Sequence, residues 1–125
     1  MSPRLVLGAV GVALLAACGP FTDDQPSAAE QSAYANTAPP LGEAVEYFLY
    51  THCGVESLQV DGRWWHAIEP LYGDNGPGGP PAGWGNPYQK GELTLNSERS
   101  ITFETEGVRV EFSPAPTNEP MRVCK

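Results

Sequence analysis

From residue 41 onward the sequence predicts an all-β domain, a small antiparallel barrel or sandwich of five to six strands. Three observations carry this. Asp61-Gly62 and Glu106-Gly107 are two-residue turn signals between alternating segments, the pattern of hairpins whose turns need positive φ at both central positions. The register each turn imposes sorts the apolar residues onto one face. After Pro40 no helical period and no internal repeat is present.

The N-terminus is a separate region. Residues 1–4 supply positive charge from Arg4 and the α-amino group, and an apolar run, LVLGAVGVALLAA, follows over residues 5–17. That run is shorter than the ~20 residues of a membrane-spanning helix, and it suits the hydrophobic region of a secretory signal. It ends in Leu15-Ala16-Ala17-Cys18. Small residues before a cleavage point, with cysteine directly after it, resemble a bacterial lipobox. The expectation is a lipoprotein signal peptide over residues 1–17 and a diacylglyceryl group on the Cys18 thiol. Each buried acyl methylene contributes roughly 0.8 kcal/mol, and two chains hold where one is marginal. The expected location is the extracytoplasmic face of the cell membrane, and the membrane partner is reached through the lipid.

Residues 18–40 are rich in Ala, Ser, Pro, Gln and acids, with few large apolar side chains. Such a segment cannot offset its ordering entropy, and it reads as a disordered, flexible tether spanning about 25 Å as a coil. A short helix over residues 28–35 would be marginal alone. The folded domain is expected over residues 41–125. Two of the three cysteines, Cys53 and Cys124, remain in it. In an oxidising compartment they are the available pair. Their bridge closes a loop of about 70 residues, for roughly 4 kcal/mol in the chain-entropy model.

Within the domain, EAVEYFLYTHC alternates, with Val45, Tyr47, Leu49 and Cys53 on one side. Phe48 and Tyr50 make the other side partly apolar, so a central or covered strand is expected. Around Asp61-Gly62, Val60 lies across from Arg63, Gln59 from Trp64 and Leu58 from Trp65. Leu58, Val60, Trp65 and Ala67 then share a face, and Trp64 and His66 point away. Leu93 and Leu95 share a face of the next strand. Around Glu106-Gly107, Phe103 faces Val110, Ile101 faces Phe112 and Glu104 faces Arg109. A slip of one residue would destroy that agreement. The short segment over residues 121–124 is expected to pair at an edge or to pack under the disulfide.

Residues 69–91 hold a long loop dense in glycine and proline, which forbid a regular ladder. It carries Trp84 between two glycines, either a plug over an open barrel end or an exposed ring for a partner. Trp64, Trp84 and Tyr88, with Tyr50, are candidates for partner contact, lining a platform for a glycan or an envelope protein. The competing reading is that these rings fill and cap a small core.

The net charge is −8. Removing residues 1–17 takes away Arg4 and no acid, leaving −9. A surface of that sign repels phosphates, so nucleic acid is excluded as a partner. The sequence holds no nucleophile elbow, phosphate-cradling loop or calcium-loop spacing. A zinc site wants about four ligands. Adjacent His52 and Cys53 on a strand would point to opposite faces, and Cys53 has a better partner in Cys124. No metal, no cofactor and no catalytic residue are therefore assigned.

THCG, DGRWW, PPAGWGNPYQKGELTL and the closing F…V.F.P pattern resemble a group of small exported actinobacterial lipoproteins of unknown function, over about residues 47–116. The resemblance implies a cell-envelope location and no mechanism. The expected function is a lipid-anchored, non-catalytic module for binding or envelope support. The alternative is an enzyme or metal-dependent accessory protein using His52 or His66 near the loop.

Overall fold

The computed structural model describes residues 25–30, 36–74 and 78–123. The signal peptide, Cys18 and Cys124 lie outside them. Six strands follow in order: β1 (Ala44–Tyr50), β2 (Val55–Val60), β3 (Arg63–Leu71), β4 (Tyr88–Ser97), β5 (Ser100–Thr105) and β6 (Val108–Pro114). They form one antiparallel sheet of spatial order β1-β4-β5-β6-β3-β2. The sheet curls into a half-barrel, so the expected all-β class holds, as an open curled sheet and not two stacked sheets.

Both hairpins carry the register expected of them. Val60 pairs with Arg63 and Leu58 with Trp65. Phe103 pairs with Val110 and Ile101 with Phe112. The turns use left-handed backbone, with φ of 52° and 73° at Asp61 and Gly62, and 52° and 75° at Glu106 and Gly107. The concave face collects Tyr47, Leu49, Val55, Leu58, Val60, Trp65, Ala67, Leu93, Ile101, Phe103, Val110 and Phe112, all buried. Glu104 and Arg109 sit opposite each other on the convex side as an exposed 3.9 Å ion pair, which contributes little.

The two apolar faces of β1 implied a central or covered strand, and it is not central. It lies at an edge and pairs only with β4. It also stops at Tyr50, so His52 and Cys53 occupy the turn into β2. The other edge is β2. The two edges approach each other across the mouth of the curl, where the Tyr47 hydroxyl donates to the Gln59 carbonyl at 3.3 Å. β3 and β4 both reach into the segment read as loop. β3 runs to Leu71, and its Pro70 is tolerated because pairing with β6 has ended at Ala67. β4 starts at Tyr88 because Leu49 and Tyr50 supply ladder partners for Gln89 and Tyr88.

After β6 the chain crosses the convex face of β3 and β2 without forming a strand. Ala115 N–H donates to Trp64 O at 2.9 Å, and Trp64 N–H donates to Asn118 Oδ1 at 2.8 Å. Further along, Met121 N–H donates to Ser57 Oγ at 2.8 Å. The strap ends in an ionic clasp. Arg122 donates from Nε to buried Glu56 at 2.8 Å and from Nη2 to Cys53 O at 2.9 Å. Tyr72 donates to the second Glu56 oxygen at 2.7 Å. A carboxylate this buried is tolerable because charge-assisted hydrogen bonds reach both its oxygens. The clasp brings residue 122, two positions before Cys124, to the carbonyl of Cys53.

The described parts of the tether touch the domain instead of standing clear of it. Ser27 and Glu30 form a reciprocal capping box of 3.2 and 3.3 Å ahead of helical residues 28–30. The Gln25 amide pairs with both backbone groups of Tyr88, at 3.0 and 3.1 Å, and Pro26 is buried.

Gly91 explains the closeness of β4 and β5. It lies on the concave row of β4, and a Cβ there would sit 2.5 Å from both Glu104 O and Phe103 Cζ. Gly91→Ala is expected to destabilise the domain by about 2–3 kcal/mol, the cost of overpacking a tight core. Urea unfolding of the two chains tests it; equal midpoints would show that the ring can retreat.

Candidate functional site

The residues singled out in the sequence fall into three separate places. The first is the end of the sheet where β1 and β4 meet. Tyr50 and Tyr88 are direct cross-strand partners on the convex face. Their rings meet edge to face at 5.4 Å, and the His52 ring lies 6.2 Å from Tyr50. The segment 84–88 is pinned beside them from two sides. Buried Thr51 donates from Oγ1 to Gly85 O at 2.6 Å, and its N–H donates to Pro87 O at 2.7 Å. Gln89 accepts from Gly85 N–H at 2.5 Å and donates to Thr105 Oγ1 at 2.9 Å. His52 Nδ1–H donates to Asn86 Oδ1 at 3.0 Å. This end is therefore a built surface of rings and amides, to which Gln25 of the tether is already joined.

Trp84 belongs to the inside. It is partly buried against the core, with its ring 6.3 Å from that of Phe103. Of its two readings, the plug is the one its packing favours. Trp64 lies elsewhere again, half-buried on the convex face of β3, where its backbone holds the C-terminal strap. His66 is on the same row, and its Nε2–H donates to Glu119 O at 2.8 Å. Trp64, Trp84 and Tyr88 thus do not form one platform. His52, in the turn before β2, and His66, on β3, are bound to different segments, Asn86 and Glu119. Each histidine bonds an amide or peptide oxygen. Among the described residues no three His, Cys, Asp or Glu side chains gather as a metal site.

A fourth place, outside the residues singled out in the sequence, is the seam of the half-barrel. Between its edges lies an apolar cavity of about 270 Å³. Val45 and Tyr47 of β1, Leu93 of β4 and Val60 of β2 line it from the sheet, and residues 37–40 form the remaining wall. Pro39 and Pro40 suit that position because they add no N–H that would need a ladder partner. Gly42 N–H donates to Leu95 O at 2.8 Å, which fixes the chain as it leaves this wall and enters β1. Sequence reasoning named none of these residues as a site. Val45, Tyr47 and Val60 read as ordinary core positions, and the fourth wall comes from a segment read as tether.

No protein-family model, curated protein or solved structure matches the chain.

Two phenols at these places are displaced in their titration. The bond to Glu56, then burial and the carboxylate charge, raises Tyr72 above 10.0 against the pull of Arg122. Burial, then the neighbouring Tyr50, raises Tyr88 above the same value. Both folded-state pKa values exceed the unfolded value. The stability they contribute is complete below pH 10 and is lost as the pH rises through the raised values. Urea midpoints measured from pH 9 to 11 should fall, and the Tyr72→Phe, Tyr88→Phe double variant should show a flatter fall. Parallel curves for the two chains would contradict it.

Proposed function

We propose that this chain is a lipid-anchored, extracytoplasmic binding module without catalytic activity, and that its ligand enters the open seam of the half-barrel. The observation that carries the reading is the seam cavity. It has a definite volume, walls from three strands and a proline-rich cover, and among the described residues its lining holds no carboxylate, imidazole, amine or thiol. Such a site can hold a ligand, and its only polar side chains are the hydroxyls of Thr37 and Tyr47, with no base beside them in the described lining to activate them. His52 and His66 are each committed to an oxygen acceptor, on Asn86 and on Glu119, which argues against the enzyme alternative.

The anchor rests on sequence. A basic start, a short apolar run and small residues ahead of Cys18 support lipidation, and the resemblance to small exported actinobacterial lipoproteins supports the envelope as the location. Among the described residues no helix is long and apolar enough to cross a membrane. The proposed Cys53–Cys124 bridge is supported by the clasp that holds Arg122 against the carbonyl of Cys53. Cys18→Ser is expected to release the protein from the membrane fraction and to abolish incorporation of labelled fatty acid. Cys53→Ser should leave retention intact and lower stability by up to about 4 kcal/mol under oxidising conditions. Equal labelling in the first variant, or an unchanged melting temperature in the second, would refute the respective claim.

The binding reading is tested by native mass spectrometry of the chain released from its own membranes. A non-covalent adduct is expected, and it should be lost in Val60→Phe, which narrows the cavity from β2. Protein without an adduct, or an adduct indifferent to Val60→Phe, would remove the seam as the binding site.

A second reading is favoured by the Tyr50, His52 and Tyr88 rings. Tyr50 is 40% exposed, and paired rings beside an amide suit an envelope protein or glycan. A photo-crosslinking residue at position 50 on intact cells should then capture a discrete species. Absence of any adduct would leave this end to the tether alone.

A further inference from the structure

We propose that the occupant of the seam is the end of a neutral, unbranched alkyl chain about ten carbons deep, supplied by a lipid other than the protein's own anchor. This rests on the reading of the seam as a binding site and assigns the chemical class of its ligand. Three observations lead there. The first is polarity. The lining side chains are hydrocarbon apart from the hydroxyls of Thr37 and Tyr47, and the Tyr47 hydroxyl is within 3.3 Å of its acceptor, Gln59 O. A polar ligand would surrender hydrogen bonds to water and recover few of them, whereas a hydrocarbon loses none.

The second is shape. The two sheet edges come within the reach of one tyrosine side chain, so the space between them is a slot. Its volume of about 270 Å³ compares with roughly 150 Å³ for an apolar cavity that holds benzene. Scaled on carbon atoms, the slot takes about ten. The cavity is partly open to solvent, which leaves room for a polar head outside.

The third is charge. The chain carries a net charge of −8, and among the described residues no basic side chain lines the slot to hold an anion. A carboxylate or phosphate at the mouth would meet repulsion without a partner. A long-chain alcohol or a neutral ester fits; a free fatty acid does not.

The test uses the full-length chain in nanodiscs, with 1-alkanols of six to fourteen carbons that carry a terminal diazirine. Labelling should concentrate on Val45, Tyr47, Val60, Leu93 and the 37–40 peptide. Apparent affinity should rise by about fourfold per methylene and level off near ten carbons. Ala38→Trp, placed in the cover and outside the sheet, should suppress labelling without changing the melting temperature. Val60→Phe should suppress labelling from the opposite wall, with a lower melting temperature because Val60 is buried in the core. The matched carboxylate probe should label at least tenfold more weakly, and Cys18→Ser, compared with the parent in detergent solution because it lacks the anchor, should label at least as well.

Scattered labelling, no dependence on chain length, indifference to both variants, or equal labelling by the carboxylate would overturn the proposal. Loss of labelling in Cys18→Ser would also overturn it, by making the occupant depend on the protein's own anchor. An adduct in native mass spectrometry without alkanol labelling would reject the alkyl class while leaving the seam as a binding site. Absence of both would remove the site itself.

Discussion

The register of the β5–β6 hairpin is the constraint on which the rest of the molecule depends. Glu106 and Gly107 adopt left-handed backbone, and that turn decides which faces the following residues take. It puts Ile101, Phe103, Val110 and Phe112 together on the concave side. Phe103 then becomes the centre of the core. Tyr47 packs on its edge, Trp84 lies tilted against it, and Gly91 leaves it room beside β4. Strands on both sides are organised around that ring. A shift of one residue in the turn would turn four large side chains to solvent and leave β4 and β3 nothing to pack against.

A curled sheet of six strands has two edges, and exposed edges invite pairing with other chains. This molecule deals with them by covering. Residues 37–40, with two prolines, lie beside β1. The C-terminal strap crosses β3 and β2 and closes on buried Glu56. Both covers come from segments outside the strands, so the domain depends on its own ends. The clasp adds specificity to this arrangement. A desolvated carboxylate accepts only a partner that reaches it in the right geometry, and Arg122 and Tyr72 do so from two segments fifty positions apart in the sequence.

How much of this was legible in the sequence follows from how local each feature is. The two hairpins were readable residue by residue, because a two-residue turn fixes every pair behind it. Glu104 opposite Arg109 is a case where pattern and turn chemistry agreed. The pairing of β1 with β4, and of β3 with β6, was not readable, because no short loop sets it. For that reason β1 is expected to be either central or covered: Phe48 and Tyr50 signal two apolar faces, and the pattern does not distinguish a neighbouring strand from a tether lying alongside. The loop was read as too long at both ends, since glycine and proline argue against a ladder while Leu49 and Tyr50 wait more than thirty positions upstream to supply one. The aromatic candidates scattered for a related reason. Trp64, Trp84 and Tyr88 share a composition signal but not a face, and only topology assigns faces between distant strands.

The seam joins these arguments to function. Closing a barrel needs enough strands at the right tilt, and here β1 and β2 stop short of pairing. What remains between them is neither core nor surface. Its described lining is almost wholly apolar, it is partly open to solvent, and one hydroxyl, that of Tyr47, spans it. Its cover is continuous with the segment leading back to Cys18. That same segment is held at Gln25 by the backbone of Tyr88. The side chains that bound the slot are also those that hold the two edges near each other, so ligand and fold draw on one set of contacts. A guest in the slot would bury apolar surface that the sheet leaves incompletely covered, and would thereby brace the edge strands. Binding and stability are then linked by mass action, and the place where the sheet fails to close is the place where a partner gains most by entering.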